Sequence, residues 1–383
     1  MLGYAMVFPL LPIYAVRFEA DASVIGLMVA SFSVAQVAAA PLWGRLSDRF
    51  GRRPALLVSL AGSAAAFTIF AFADTIGLLF LSRIVQGAAG GTTGVMQAYV
   101  GDSVAPEERA KALGWLSAAT NTGVMIGPIL GSMVWVLGSQ VPGLVAASLC
   151  LTNLALAWFL LPESRRKETG PKIAKRSIRS MVWETVRHPA RETSELILIY
   201  AVAMTAFSSM TAMLTVFLVE RFAIDESNIG YIFMPMGAVS ILMRAGLLGK
   251  LVSRFGEVSL MRVGTVLMAV GLLAMPLPTR LGVFLVVMLL IPIGTALLFP
   301  ATSSLLSQRC DPKQLGQVMG VQQSFGGVAR IFGPIWAGFA FQRFGPGVPF
   351  QVAGAVILFV ALLTTRVQPG SERVKTKTTH QPA

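Results

Sequence analysis

Apolar runs alternate with short polar links along nearly the whole chain. A run of roughly 20 apolar residues crosses a bilayer as a helix, and the runs here predict twelve. The first six are Leu2–Val16, Ser23–Trp43, Pro54–Ala73, Ile76–Val100, Ala112–Leu137 and Gly143–Leu161. The last six are Ser194–Val219, Ile229–Gly249, Ser259–Pro276, Leu281–Ser307, Leu315–Gln342 and Val348–Val367. The fold class is therefore all-α and membrane-spanning, because the runs are too long for barrel strands. A basic stretch, 162–193, divides an N-terminal bundle, 1–161, from a C-terminal bundle, 194–367, and a polar tail follows at 368–383. Residues Ile178–Val186 within the divider form either a surface helix on the membrane or plain linker. The first run is short, interrupted by Gly3, Pro9 and Pro12, and begins almost at residue 1, which predicts a start codon further upstream.

The two bundles repeat one pattern. Gly44-x-Leu46-x-x-Arg49-Phe50-Gly51 recurs as Gly249-x-Leu251-x-x-Arg254-Phe255-Gly256, an offset of 205. Pro106, Gly114 and Gly127-Pro128 recur as Pro312, Gly320 and Gly333-Pro334 at 206. A constant offset at separate places predicts two six-helix halves of like orientation. They are related by an axis along the membrane normal, with a substrate site between them near the midplane.

Composition narrows the reading. Only 13% of residues are charged, against about 25% in a soluble domain. The net charge of +13 is unevenly placed. Of the 31 Lys and Arg, all but seven fall in links on one side, in the helix ends beside those links, or in the tail. The seven are Arg17, Arg221, Arg280 and Arg343 on the other side, and Arg83, Arg244 and Arg330 within helices. Basic links stay in the cytoplasm, so both termini are expected inside and the excess reads as topology and anionic-lipid contact, not nucleic-acid binding. Cys150, Cys310, His188 and His380 form no metal or disulfide spacing, and no metal or cofactor is expected.

The link Gly44–Arg53 matches the signature Gly-x-Leu-x-Asp-Arg-x-Gly-Arg-Arg, and with it the chain resembles the major facilitator superfamily. Arg83-x-x-Gln86-Gly87 resembles a second signature of that family. Gly123-x-x-x-Gly127-Pro128-x-x-Gly131 resembles a third, found in its drug:proton antiporters of the multidrug and tetracycline type. The resemblance implies a twelve-helix transporter of the bacterial inner membrane. It implies a conformational latch of Gly44, Asp48, Arg49, Gly51, Arg52 and Asp102, in which Asp48 pairs with a loop arginine and caps a helix of the other half. The alternative is that these charges only set topology.

Arg83, Gln86, Arg244 and Arg330 are candidates for coupling or the cavity, because a cation inside the bilayer is costly and usually faces a cavity. Each arginine could instead tether helices or anchor near a surface. Gly123, Gly127 and Gly131 share one face of helix 5, and with the kink-favouring Pro128 they predict a close, bendable contact with the opposite half. Tyr4, Gln36, Asn121, Tyr200, Gln322 and Gln323 serve either as substrate contacts or as helix–helix hydrogen bonds. No acid lies at any predicted helix midplane, although proton coupling normally uses one; in relatives with Pro-x-x-Pro early in helix 1, here Pro9–Pro12, an acid would fall just before Met1.

The expected function is secondary, proton-coupled export of a small amphipathic or drug-like molecule by a monomer. The same fold also admits an importer, a symporter or a specific metabolite exporter. An intramembrane enzyme or receptor lacks both a catalytic constellation and a sizeable soluble domain, and no Gly-x-x-x-x-Gly-Lys-Ser/Thr loop marks an ATP-driven pump.

Overall fold

The computed structural model describes residues 1–105, 108–164, 178–189, 191–311, 314–365 and 367. Pro106, Glu107 and Pro312, most of the divider and nearly all of the region after Thr365 lie outside the described residues.

Twelve spans are present. In the first half they are α1 (Leu2–Val7) with α2 (Leu11–Arg17), α3 (Ala22–Phe50), α4 (Arg52–Ala71), α5 (Ile76–Gly90) with α6 (Thr93–Ser103), α7 (Arg109–Trp135) and α8 (Val141–Leu160). α9 (Ile178–Arg187) belongs to the divider and rests against α10 and α15 with Thr185 buried. The second half comprises α10 (Glu192–Phe222), α11 (Ile229–Ile241) with a π-helical turn (Leu242–Leu247), α12 (Leu248–Ala274), α13 (Leu281–Met288) with α14 (Leu290–Arg309), α15 (Leu315–Phe344) and α16 (Val348–Thr364). α12 holds the end of the eighth span and the whole of the ninth, because Gly256 has φ 74 and ψ 159 and turns the chain between them.

Six helices among the described residues are long and apolar enough to cross a membrane by length and composition alone. The rest fall short for visible reasons. Pro9 breaks the first span, and the fourth breaks at Gly91-Thr92. α7 and α15 are diluted by Gly, Ser, Gln and Asn.

The structure corrects the expected link at 44–53. α3 runs helical through Phe50, and only Gly51 turns the chain, at φ 108. A helix need not end where its apolar run ends; these last two turns carry their charges beyond the apolar layer. At the opposite end Asp21 caps α3, its side chain accepting from Val24 N at 2.9 Å.

The halves are built alike. α1 packs on α7 and α8 as α10 packs on α15 and α16. α4 packs on α8 and α5 as α12 packs on α16 and α14. Between halves the main seams are α3 with α15 and α7 with α11, which the repeat makes equivalent.

Candidate functional site

At the end of the bundle carrying Gly51, here the basic end, the first signature folds into an ionic cluster. Arg52 Nη1 donates to Asp48 Oδ1 at 2.7 Å and to Ser47 Oγ at 2.6 Å, while Arg52 Nε reaches Asp102 Oδ2 at 3.3 Å. Arg52 thus ties the turn to the end of α6. The Glu163 carboxylate, just after α8, accepts from the backbone N–H groups of Arg52 and Arg53 at 2.8 and 3.1 Å. It caps the open N-terminus of α4, where a negative group is favoured. A Cβ on Gly51 would lie 2.8 Å from the Glu163 carboxyl carbon, so the glycine serves both the turn and the cap. All these partners belong to the first half or, for Glu163, to the start of the divider, and none to the second half. Asp48 is 70% exposed, and a Cβ added to Gly44 would meet nothing within 4 Å. Arg49 stacks over Phe50.

In the second half Gly256 makes the equivalent turn, but Glu257 stands where Arg52 does. It accepts from Gln308 Nε2 at 2.8 Å and Ser304 Oγ at 3.2 Å. The same two spans are tied, without an ion pair.

At the far end the halves are shut against each other. Gly26 of α3 lies against the Pro334 carbonyl of α15, with Gly338 Cα 3.2 Å from its Cβ position. Gly230 of α11 lies against Pro128 of α7, where Ser132 Oγ accepts from Gly230 N at 2.8 Å and donates to the Glu226 carbonyl at 3.0 Å. Arg17 pairs with Glu226 at 2.8 Å, and Gln342 accepts from Ala22 N at 3.3 Å. Toward the basic end α7 and α11 bury almost nothing, and the π-helical turn has no buried residue.

The sequence reading missed this seal, though its signal was in the chain. Arg-Phe-x-x-Asp-x-Ser-x-Ile-Gly occurs at 17–26 and again at 221–230. The two left-handed non-glycine residues, Glu19 and Ala223, are equivalent positions of this second repeat. Asp21 and Asp225 cap their helices in the same way.

The glycine stripe of helix 5 needs correction. Gly123, Gly127 and Gly131 do not face the opposite half; they receive Leu2, Ala5 and Met6 of α1. The neighbouring face of α7, with Met125, Pro128 and Ser132, meets α11. Spacing placed the glycines on one face but could not say which neighbour that face would meet.

Inside the bundle Arg83 is 1% exposed, and its Nε and Nη2 have no hydrogen-bond partner. Its guanidinium lies 5.9 Å from the centre of the Phe70 ring. Tyr4 packs on Phe8 and Phe32, with ring centres 5.5 and 5.2 Å away. Tyr200 and Arg330 meet beside Gly326, whose Cβ position lies 3.7 Å from both the Tyr200 hydroxyl and Arg330 Nη1. Arg83 is buried, Arg330 half-buried and Arg244 exposed. Arg244 sits on the π-helical turn, a distortion that often marks functional positions.

Other candidates are drawn into helix contacts. Gln36 donates to the Gly90 carbonyl at 3.3 Å, and Gln322 accepts from Ser303 Oγ at 3.3 Å. Gln86 is buried with its side-chain oxygen unpartnered, and Asn121 is half-buried on α7. Among the described residues no group of His, Cys, Asp or Glu could hold a metal ion.

The family model of the Major Facilitator Superfamily matches residues 1–256 and 245–383. The chain is 28% identical over 377 residues to the tetracycline resistance protein, class D, of Salmonella ordonez, covering 96% of this chain and 95% of that one. To the class C protein of Escherichia coli it is 31% identical over 345 residues, covering 87% and 84%. The crystal structure of the human organic anion transporter MFSD10 (TETRAN) superposes with a TM-score of 0.69 at 24% identity, covering 95% of each chain; at that identity the likeness shows the fold alone. Matched along its length and built from two like halves, the chain belongs to the Major Facilitator Superfamily, a multi-pass membrane transporter of a small molecule and not an enzyme.

Proposed function

We propose that this protein is a proton-driven exporter of small amphipathic, drug-like molecules, acting as a monomer by alternating access in a bacterial inner membrane. The basic end and both termini face the cytoplasm, by the placement of Lys and Arg. Residues 1–161 and 194–367 move as two bodies joined by the divider at 162–193. The observation that carries the mechanism is the paired seal, Gly26 on Pro334 and Gly230 on Pro128, at one end of helices that lie open at the other. The glycine-on-carbonyl contacts themselves involve no side chain, so when the bodies rock the side-chain ties to break are Arg17 with Glu226 and the hydrogen bonds of Ser132 and Gln342. The substrate class is supported by relatives named as tetracycline resistance proteins.

The test uses everted membrane vesicles from cells expressing the full chain. Tetracycline should accumulate in them on energisation and leak away when a protonophore collapses the pH gradient. Accumulation by right-side-out vesicles instead would make the protein an importer and overturn the proposal.

A further inference from the structure

The stretch 44–53 carries four arginines. Arg52 is taken up by Asp48 and Asp102, and Arg53 donates to the Trp158 carbonyl. Arg45 and Arg49 instead line a groove of about 700 Å³ between α3, α4 and α5. They share a face of α3 with Leu42 and Leu46, one turn earlier. Among the described residues Arg45 forms no ion pair, and none of those lining the groove is acidic.

The rest of the groove is apolar. Leu42, Phe50, Val58 and Ile84 stand exposed along it. The Trp43 indole N–H donates to the Ala88 carbonyl at 2.6 Å, which pins α3 to α5 and sets the ring against the groove. Gly62 gives the groove its depth. Its Cβ position lies 3.3 Å from Ala89 Cβ and meets no other atom within 4 Å, so a longer side chain there would take up the space. The repeat supplies a contrast. At an offset of 205, Lys250 and Arg254 match the two arginines, but Leu248 stands for Trp43 and Leu267 for Gly62. Leu267 packs against the core. The second half keeps the cations without the glycine.

Any exposed apolar face of a membrane protein meets acyl chains. A cleft that ends in two cations asks for more, an amphiphile whose charge is negative. The last two turns of α3 carry Arg45 and Arg49 beyond the apolar layer, where basic side chains attract anionic headgroups. We propose that this groove binds an anionic phospholipid of the leaflet at the basic end. An acyl chain lies against Trp43, Leu46, Val58 and Ile84, and the phosphate meets Arg45 and Arg49. The site adjoins the Gly51 turn, so the bound lipid holds the charged end of α3 in the headgroup layer beside the Arg52 cluster. It depends neither on the direction of transport nor on the cargo.

Trp43 reports on the site. Full-length protein in detergent is titrated with phosphatidylglycerol whose acyl chains carry bromine, a contact quencher of indole, and with the matching brominated phosphatidylcholine. Phosphatidylglycerol should quench saturably and at lower concentration, and Trp43→Phe should remove that excess. Arg45→Gln should weaken the binding of phosphatidylglycerol by roughly 5-fold and leave phosphatidylcholine unchanged. Gly62→Leu, which installs the second-half residue, should abolish the excess with both arginines in place. Lys250→Gln should have no effect on it. If Gly62→Leu does not fold, Arg45→Gln, at an exposed position, carries the test.

Equal quenching by the two lipids, or an excess untouched by any one of Trp43→Phe, Arg45→Gln and Gly62→Leu, would mean that only bulk lipid meets this face, and overturns the proposal. Competition by free glycerol phosphate at the concentrations where the lipid binds would make the ligand a soluble anion and overturn the lipid assignment.

Discussion

The turns at Gly51 and Gly256 are one backbone with two chemistries. Both glycines have positive φ with ψ near 160°, at 161 and 159. Each turn is tied to the basic-end terminus of the span two further along, α6 in one half and α14 in the other. In the first half the tie is a charge cluster of Asp48, Arg52 and Asp102 with Glu163 beneath it. In the second it is Glu257 held by an amide and a hydroxyl. Geometry was kept because only glycine adopts this backbone cheaply. Charge was free to diverge because many pairs can bridge the same gap. The first half is therefore the one that salt and charge substitution should disturb.

The largest effect expected from this contrast is on rate, not stability. Asp48 is 70% exposed, so Asp48→Asn should change stability by no more than about 0.5 kcal/mol. Transport should nevertheless be abolished, if Asp48 acts in the state where the basic end closes, while expression and insertion stay intact. Normal transport by this variant would leave the cluster as a topology marker. Ser253→Asn, at the equivalent second-half position, should transport normally.

Next comes the pair of glycines. Gly51→Ala meets both the strained backbone and the Glu163 carboxylate, whereas Gly256→Ala meets open space within 4 Å. Each pays roughly 1–3 kcal/mol for the backbone, and Gly51→Ala should lose about 1–2 kcal/mol more by dislodging the cap. Thermal unfolding in detergent reads the difference, and equal losses would break the comparison.

Arg52→Gln should cost about 1–2 kcal/mol, because Asp48 and Asp102 are left without their shared donor. Glu257→Gln should cost under about 0.5 kcal/mol, since an amide keeps the hydrogen bonds to Ser304 and Gln308. Melting at low and high salt checks both, with salt dependence lost in the first variant only. The smallest effect belongs to the double exchange Glu257→Arg with Gln308→Asp, which installs the first-half pair in the second. A pair at the surface is worth ~0–1 kcal/mol, so a melting shift beyond that range would mean the two turns are less alike than their backbones.

Much of this architecture was legible in the residues. Span number, the twofold repeat and the glycine turns follow from run length and recurring spacing, which are local properties. The far-end repeat, 17–26 against 221–230, was equally present but escaped notice because its apolar and polar residues look like ordinary helix ends. Glu163 was not legible at all. It lies some 110 residues from the N–H groups it caps, and nothing near it in sequence marks it as a cap.

The sequence by itself determined spans that carry arginines, two halves of one pattern, and a signature whose Asp48 and Arg52 have no counterpart in the second copy. Tertiary structure alone decided that the Gly123–Gly131 face receives α1, that Pro128 and Pro334 seal the far end, and that Tyr200 meets Arg330 beside Gly326. Helical period says which residues share a face. Which distant helix that face meets depends on how all twelve spans pack at once, and no local spacing carries that information.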